Sequence, residues 1–313
     1  MKRNLKITFL GGARRVTLLE KIREITSDYF EIEFISIEKD KSFYPISSNA
    51  EVIAGPKYSS DDFDKFLYEH LKSKKSTCLA CMDAAIPSLS KLNGKDFGSG
   101  EIITSSIEGA LISLNKLKTN EFCKKQKINH PLMITSANFQ DKNLRLIAKP
   151  FEGYGAKGIH ILENYDRETI KNLEHTHLIQ ELIDGDETTH DVYIFKNFSF
   201  ISSSRDRLAV IDGEVDHCIV RETDDSEKLI IQKIAETRLF MGPITVQTIK
   251  SHSGSVFLIE VNSRLGGGVT ASISAGFPII QAIIKESLEI EIPVTKFYKL
   301  EMKRARRDFY NLL

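Results

Sequence analysis

Leu5-Lys6-Ile7-Thr8-Phe9-Leu10 is a short, largely apolar run that stops at Gly11-Gly12-Ala13-Arg14-Arg15; a helix is expected from near Val16 and a second strand from Phe30 to Ile37. This strand, helix, strand order constrains the chain more than any other feature. Parallel strands cannot be joined by a tight turn, so the connecting helix must cross over, in the right-handed sense, and the sheet becomes covered on its faces. The rhythm continues through a strand at Glu51-Val52-Ile53-Ala54 and a helix opened by Asp61-Asp62-Phe63, with Phe63, Phe66, Leu67 and Leu71 at helical spacing. Cys78 to Met82 reads as a further buried strand, and the sheet is expected to finish after Glu101-Ile102-Ile103-Thr104.

Two features of this half bear on function. Asp83 follows the Cys78 strand, so its carboxylate stands either at the carboxyl edge of a parallel sheet, where ligands bind, or at a helix N-cap. Glu38, at the end of the second strand, would suit the ribose of a dinucleotide, but Gly11-Gly12-Ala13-Arg14-Arg15 is not G-x-G-x-x-G and lacks the glycines that admit a pyrophosphate.

At 313 residues the chain exceeds a usual single domain, so two or three subdomains are expected. Lys+Arg and Asp+Glu stand at 43 each, and that balance argues against nucleic acid or an anionic membrane as the partner. Cys78 and Cys81 form a C-x-x-C inside an apolar run, with no second pair or nearby histidine to complete a zinc site, so they read, like Cys123 and Cys218, as buried reduced thiols. With no signal peptide and no apolar run near the roughly 20 residues of a membrane span, a cytoplasmic protein is expected.

The second half carries the polar signals. Ile107 to Ile128 reads as mostly helix and contains Asn115-Lys116. Leu144 to Pro150 is a strand that ends in Lys149-Pro150 and enters the glycine-rich loop 152–158, where Gly153, Gly155 and Gly158 let backbone N–H groups approach a polyphosphate while Lys149 and Lys157 offset its charge. In Leu178 to Tyr193 an apolar strand is interrupted by Gln180 and Glu181, and Asp184-Gly185 marks a turn. Its backbone is able to present an adenine edge, leaving Glu187 for a ribose.

Val246 to Ile249 and Val256 to Arg264 then read as two strands about a polar turn, with Gln247, Glu260, Asn262 and Arg264 breaking the apolar pattern. Residues two apart on a strand share a face, so Glu260, Asn262 and Arg264 are able to look into one cleft. A wet hairpin face gives the same alternation, and the segment alone does not separate the two readings. Gly266-Gly267-Gly268 follows, either as a close backbone approach to a substrate or as a helix entry. Arg205 and Arg221, flanking the Asp212-Gly213 turn, are substrate candidates or surface arginines, and the basic run Glu301 to Arg307 is a solvated end with no aromatic platform for RNA.

Taken in order, Lys116, the Lys149 strand with its glycine loop, the Gln180-Glu181-Leu182-Ile183 hinge and the Gln247/Glu260/Asn262/Arg264 set resemble the ATP-grasp superfamily, and within it the carboxylate-amine ligases similar to the carbamoyl phosphate synthase large subunit. The likeness runs from about Leu5 to about Ile284. It implies an α/β and α+β chain: a Rossmann-like preATP-grasp sheet (residues 1–106), a small ATP-grasp lobe (107–182) and a large lobe with the metal site (183–313). It further implies ATP contacts from Lys116, Lys149, the loop glycines, Gln180, Glu181, Leu182, Ile183 and Glu187, although Asn115 stands where an aspartate often precedes the first lysine. Mg2+, or Mn2+ in its place, would be held by Gln247, Glu260 and Asn262. Lys149 and Arg264 would act in catalysis, with Arg205, Arg221, Arg264, Gly267 and Gly268 at the substrate. The activity implied is ADP-forming: a small-molecule carboxylate activated as an acyl phosphate and attacked by an amine, with a carboxylate kinase or a non-catalytic ATP-binding protein as alternatives and a homodimer as an available assembly.

Overall fold

A computed structural model describes residues 2–39, 50–140, 144–153, 157–163, 165–211 and 213–305. The N-terminal sheet is parallel throughout, in the order β3-β2-β1-β4, with β1 at Arg3–Leu10, β2 at Phe30–Glu38, β3 at Ala50–Ala54 and β4 at Thr77–Ala80. Helix α1 (Val16–Thr26) joins the first two strands, as the expected crossover requires. Helix α2 (Asp61–Lys74) begins with Asp61, Asp62 and Asp64 and ends with Lys72 and Lys74, charges that complement its dipole. Phe63, Leu67 and Leu71 of α2 pack against Leu10, Ile37 and Ala80, closing one face of the sheet.

The next stretch adds detail to the sequence reading. Glu101 to Thr104 adds no strand, since only an isolated bridge between Asp96 and Glu101 forms there. The helix expected over Ile107 to Ile128 is two helices, α4 (Ile107–Leu114) and α5 (Lys116–Gln126), after a short α3 (Ile86–Ser90). They break at Asn115, whose extended backbone lets its side chain cap the Lys118 N–H at 3.1 Å. The break places Lys116 in the first turn of α5 rather than on the side of a long helix.

Three strands form the small sheet, ordered β6-β5-β7: β5 Leu146–Pro150, β6 His160–Leu162 and β7 His177–Glu181. Helix α6 (Arg167–Leu173) covers it, with Leu146, Ala148, Ile170 and Ile179 in the core. Ile112, Phe122, Cys123 and Ile128 pack with Val192, Val246 and Leu258 of the large sheet.

The large sheet is ordered β12-β11-β8-β9-β10-β13, with β8 Gly185–Ile194, β9 Phe200–Ile211, β10 Glu214–Glu222, β11 Gly242–Ser251, β12 Val256–Asn262 and β13 Leu300–Lys303. Helix α7 (Asp225–Glu236), opened by an Asp224/Glu227 capping box, packs on one face. After β12 the chain returns to the N-terminal sheet. Helices α8 (Val269–Ser274) and α9 (Ile279–Leu288) bury Val269, Ile273, Ile280 and Ile283 against Leu5, Ile7, Leu18 and Phe34. The N-terminal parallel sheet therefore shares a core with the helices that follow the large sheet. No helix among the described residues is long and apolar enough to cross a membrane, and all four cysteines are buried and unbonded to one another.

Candidate active site

Lys149 is the penultimate residue of β5, paired with Leu178 of β7. Its ammonium reaches the Gln180 Oε1 at 3.4 Å. Burial pulls its pKa down from the ordinary value; Glu260 and Glu187 oppose that pull and Lys116 reinforces it. These charges act on one another, so side chains from α5, the small sheet and the large sheet stand close together, where the sequence expects a cleft.

Lys116 is tied to the mouth of the glycine loop. Its N–H donates to Phe151 O at 2.8 Å and its ammonium to Gly153 O at 3.1 Å. Gly153 has φ 143° with nothing within 4 Å of where a Cβ would lie, and Gly158 has φ 72° against Pro150. Both are left-handed conformations that favour glycine. Gly155 lies outside the described residues.

In the hinge, Gln180 is buried with Nε2 towards Pro131 O at 3.4 Å, and Glu181 Oε1 accepts the Leu132 N–H at 2.9 Å. Leu182 N–H is committed to Arg145 O at 2.7 Å. Ile183, between β7 and β8, makes no backbone hydrogen bond among the described residues, leaving its N–H and C=O for a ligand edge. Glu187, half-buried on β8, is ion-paired with Arg207 of β9. Sequence reasoning passed over Arg207; its Nε is buried with no partner among the described residues.

The strand register builds the metal candidates. Gln247 of β11 lies directly opposite Glu260 of β12, and Thr245 opposite Asn262, so Gln247, Glu260 and Asn262 share one face. A register shift after Gln247 marks a bulge where the strand bends. Burial raises the Glu260 carboxyl above its ordinary value and Asp83 adds to this, while Lys116, Arg264 and Lys149 oppose it. The carboxylate accepts no hydrogen bond among the described residues. No group of three or more His, Cys, Asp or Glu suited to a metal occurs among the described residues. One unbonded carboxylate flanked by two amides fits an ion that takes the rest of its shell from phosphate oxygens and water, as Mg2+ does.

Arg264 leaves β12 and turns onto Asp83, with Nε to Oδ1 at 2.6 Å and Nη2 to Oδ2 at 2.9 Å, and Nη1 donates to Leu265 O at 3.2 Å. Asp83 therefore makes no N-cap bond and stands at the carboxyl edge of the parallel sheet. Three of the five guanidinium N–H groups are engaged, leaving one on each terminal nitrogen.

The two remaining arginines are corrected. Arg205 is 2% exposed and grips Asp191 with Nε at 2.7 Å and Nη2 at 3.1 Å. Arg221 spends Nε on Asp206 and both terminal nitrogens on Glu227 at 2.9 and 2.7 Å. Arg205, buried, and Arg221, half-buried, are each held by internal carboxylates, which gives them an internal task rather than a substrate carboxylate. The task of Arg205 is to support the glycine run: a Cβ on Gly268 would stand 2.2 Å from its Nη1, and one on Gly266 3.2 Å from its Nη2.

A parallel N-terminal sheet, a small antiparallel lobe with a lysine strand and glycine loop, and a large antiparallel sheet carrying the Gln247/Glu260/Asn262 face together define an ATP-grasp architecture. A family model described as an ATP-grasp domain matches residues 113–268. The fold is similar to that of N5-carboxyaminoimidazole synthetase from Staphylococcus aureus, with a TM-score of 0.69 at 15% identity over 94% of this chain and 79% of that one. It is also similar to an L-amino acid ligase from Bacillus licheniformis (0.65, 16%, 92% and 76%) and a biotin carboxylase from Campylobacter jejuni (0.67, 13%, 92% and 72%). At these identities the likeness shows the fold. No curated protein matches the sequence. The family match thus assigns an ATP-grasp domain to residues 113–268.

Proposed function

We propose that the protein is an ATP- and Mg2+-dependent, ADP-forming ligase that activates a small-molecule carboxylate as an acyl phosphate for attack by an amine. The observation that carries this reading is the convergence of Lys116, Lys149, Glu187 and Glu260 on one cleft, with Arg264 at its edge and the glycine loop beside it. Proteins of similar fold named as a ligase, a synthetase and a synthase, the synthetase complexed with ADP and the synthase with ATP, support it as analogues.

A carboxylate is a poor electrophile until its oxygen becomes a phosphate leaving group. Transfer of the ATP γ-phosphoryl group supplies that leaving group, and the amine then displaces phosphate. The protein's share is positioning and charge. Lys149, whose ammonium is half-desolvated and lacks a carboxylate bonded to it, and Lys116 offset the nucleotide phosphates. Ile183 offers backbone groups to the base. Gln247, Glu260 and Asn262 would hold Mg2+, which when bound neutralises charge on the phosphates. Asp83 fixes the Arg264 fork so that its two free N–H groups face the transferring group and the acceptor carboxylate.

The test is ADP release with pools of amino acids and other carboxylates, with and without amines. Stimulation that needs both components is expected. No stimulation by any carboxylate overturns the reading, and a hydroxylamine-trappable acyl phosphate formed without amine dependence would make the protein a carboxylate kinase instead.

A further inference from the structure

We propose that Arg15 is a specificity-determining residue, holding an oxyanion carried by the amine substrate, a carboxylate or phosphate remote from its amino group, in the space between the β1–α1 loop and Gly267. The inference rests on the ligase reading and narrows its substrate class: the acceptor is an anionic amine such as an amino acid or a phosphorylated amine, not a neutral one.

The loop that carries Arg15 is built to hold it still. Gly12 N–H donates to Ser36 Oγ at 3.0 Å, Ala13 N–H to Glu38 Oε1 at 2.7 Å, and Arg15 N–H to Gly12 O at 2.8 Å. Glu38 is itself bonded to Ser36 Oγ at 2.7 Å, so the acid at the end of β2 shapes the loop. The Arg15 guanidinium then lies over the second glycine of the run, with Nη1 3.0 Å from the position a Gly267 Cβ would take. Gly266 and Gly268 turn the other way, onto Arg205. The glycine run is thus a thin partition between a paired arginine and Arg15.

What separates Arg15 from its neighbours is its lack of a partner. Arg205 is paired with Asp191, Arg264 with Asp83 and Arg304 with Glu214. The half-buried Arg15 guanidinium makes no hydrogen bond or ion pair among the described residues. A guanidinium presents five donors in a plane matched to carboxylate or phosphate, and at a half-buried position with no protein partner they are open to a ligand that brings either group. A second guanidinium reaches the same peptide: Arg304 Nη2 donates to Gly267 O at 3.0 Å. Arg15 and Arg264 both lower the Cys81 thiol against the upward push of burial, so their charges share one neighbourhood.

The test uses the full chain with Mg2+ and a non-hydrolysable ATP analogue, titrated with three probes that differ at one end: β-alanine, phosphoethanolamine and ethylamine. Melting temperature reads binding. The wild type is expected to respond to at least one oxyanion probe, which identifies carboxylate or phosphate, and not to ethylamine. Arg15→Ala should weaken that response roughly ten- to a hundredfold in apparent Kd, and Arg15→Lys should recover part of it. The shift given by the ATP analogue alone should be the same in all three proteins, which a merely structural role for Arg15 would not allow. Where Arg15→Ala does not fold, Arg15→Gln takes its place. Unchanged oxyanion affinity in the variants, an equal response to ethylamine, or no response of the wild type to either oxyanion overturns the inference. Failure of carboxylates to stimulate ADP release would overturn the ligase reading separately, since the binding readout does not depend on turnover.

Discussion

The large sheet and the cleft beside it both bury charge, and they do so in opposite ways. On the α7 face, His190 sits between Ser204 Oγ and Thr248 Oγ1, each at 2.8 Å, and Glu227 holds Arg221. On the other face Asp191 takes two bonds from Arg205 and a third from Ser272 Oγ at 2.6 Å. Every one of these groups closes on another. In the cleft, Glu260 accepts no hydrogen bond among the described residues and Lys149 has one long contact at 3.4 Å. Both are shifted against their charged forms. Closed polar groups tie strands together. Open ones lie near opposite charges without bonding them, the arrangement expected where a ligand is to complete the set.

Breaking a closed pair should give the largest effect on stability. Asp191→Ala leaves the Arg205 guanidinium buried and uncompensated and should cost about 3–5 kcal/mol in urea unfolding. A loss under about 1 kcal/mol would mean that Arg205 is not held by this pair. The cleft should respond in the reverse sense. Glu260→Gln removes a carboxylate whose charge burial disfavours, so the ligand-free protein should be at least as stable, while Mg2+-dependent ADP release falls roughly a hundredfold or more. Lys149→Met should follow the same pattern more weakly, with ATP affinity lowered roughly ten- to a hundredfold and the melting temperature kept. Unfolding of either cleft variant would make these side chains structural and erase the contrast.

The contrast also explains what was legible in the sequence. The parallel sheet was readable because its period and crossover spacing are local, and the strand-borne candidates Glu260 and Asn262 stood out because each breaks an apolar strand pattern at a fixed place. The break at Asn115 was not, since a helix-capping asparagine and a mid-helix one look alike until the Phe151 carbonyl is placed beside Lys116. The tasks of Arg205 and Arg207 depend on a strand register that puts Thr189 opposite Arg205, bringing Asp191 and Glu187 to their guanidinium groups. The alternation Glu187, Thr189, Asp191 against Arg205, Arg207 was present in the sequence, but only pairing turns it into ion pairs. The Asp83 to Arg264 bridge spans most of the chain, and no local pattern announces it.

The smallest effect is the most exacting test of closure. Burial holds His190 neutral, lowering its pKa from 6.5 to about 4; Glu227 and Asp191 oppose this and Arg221 and Arg205 add to it. As pH falls below 6.5 the unfolded chain takes up a proton that the folded chain refuses, so the histidine's contribution to stability is present above 6.5 and is lost between 6.5 and about 4. The whole-protein curve will not show this cleanly. Glu260 is raised, so the ligand-free fold gains as that group protonates, and Glu227 is lowered, adding its own loss further down. The difference between wild type and His190→Gln isolates the imidazole, since glutamine fills a similar volume and does not titrate. Urea midpoints at steps of pH from 7 to 4 should converge as the acid side is reached, the wild type losing more than the variant. Parallel curves would mean that His190 takes its proton while folded, by opening towards Glu227, and the network would then be a loose cluster like the cleft rather than its closed counterpart.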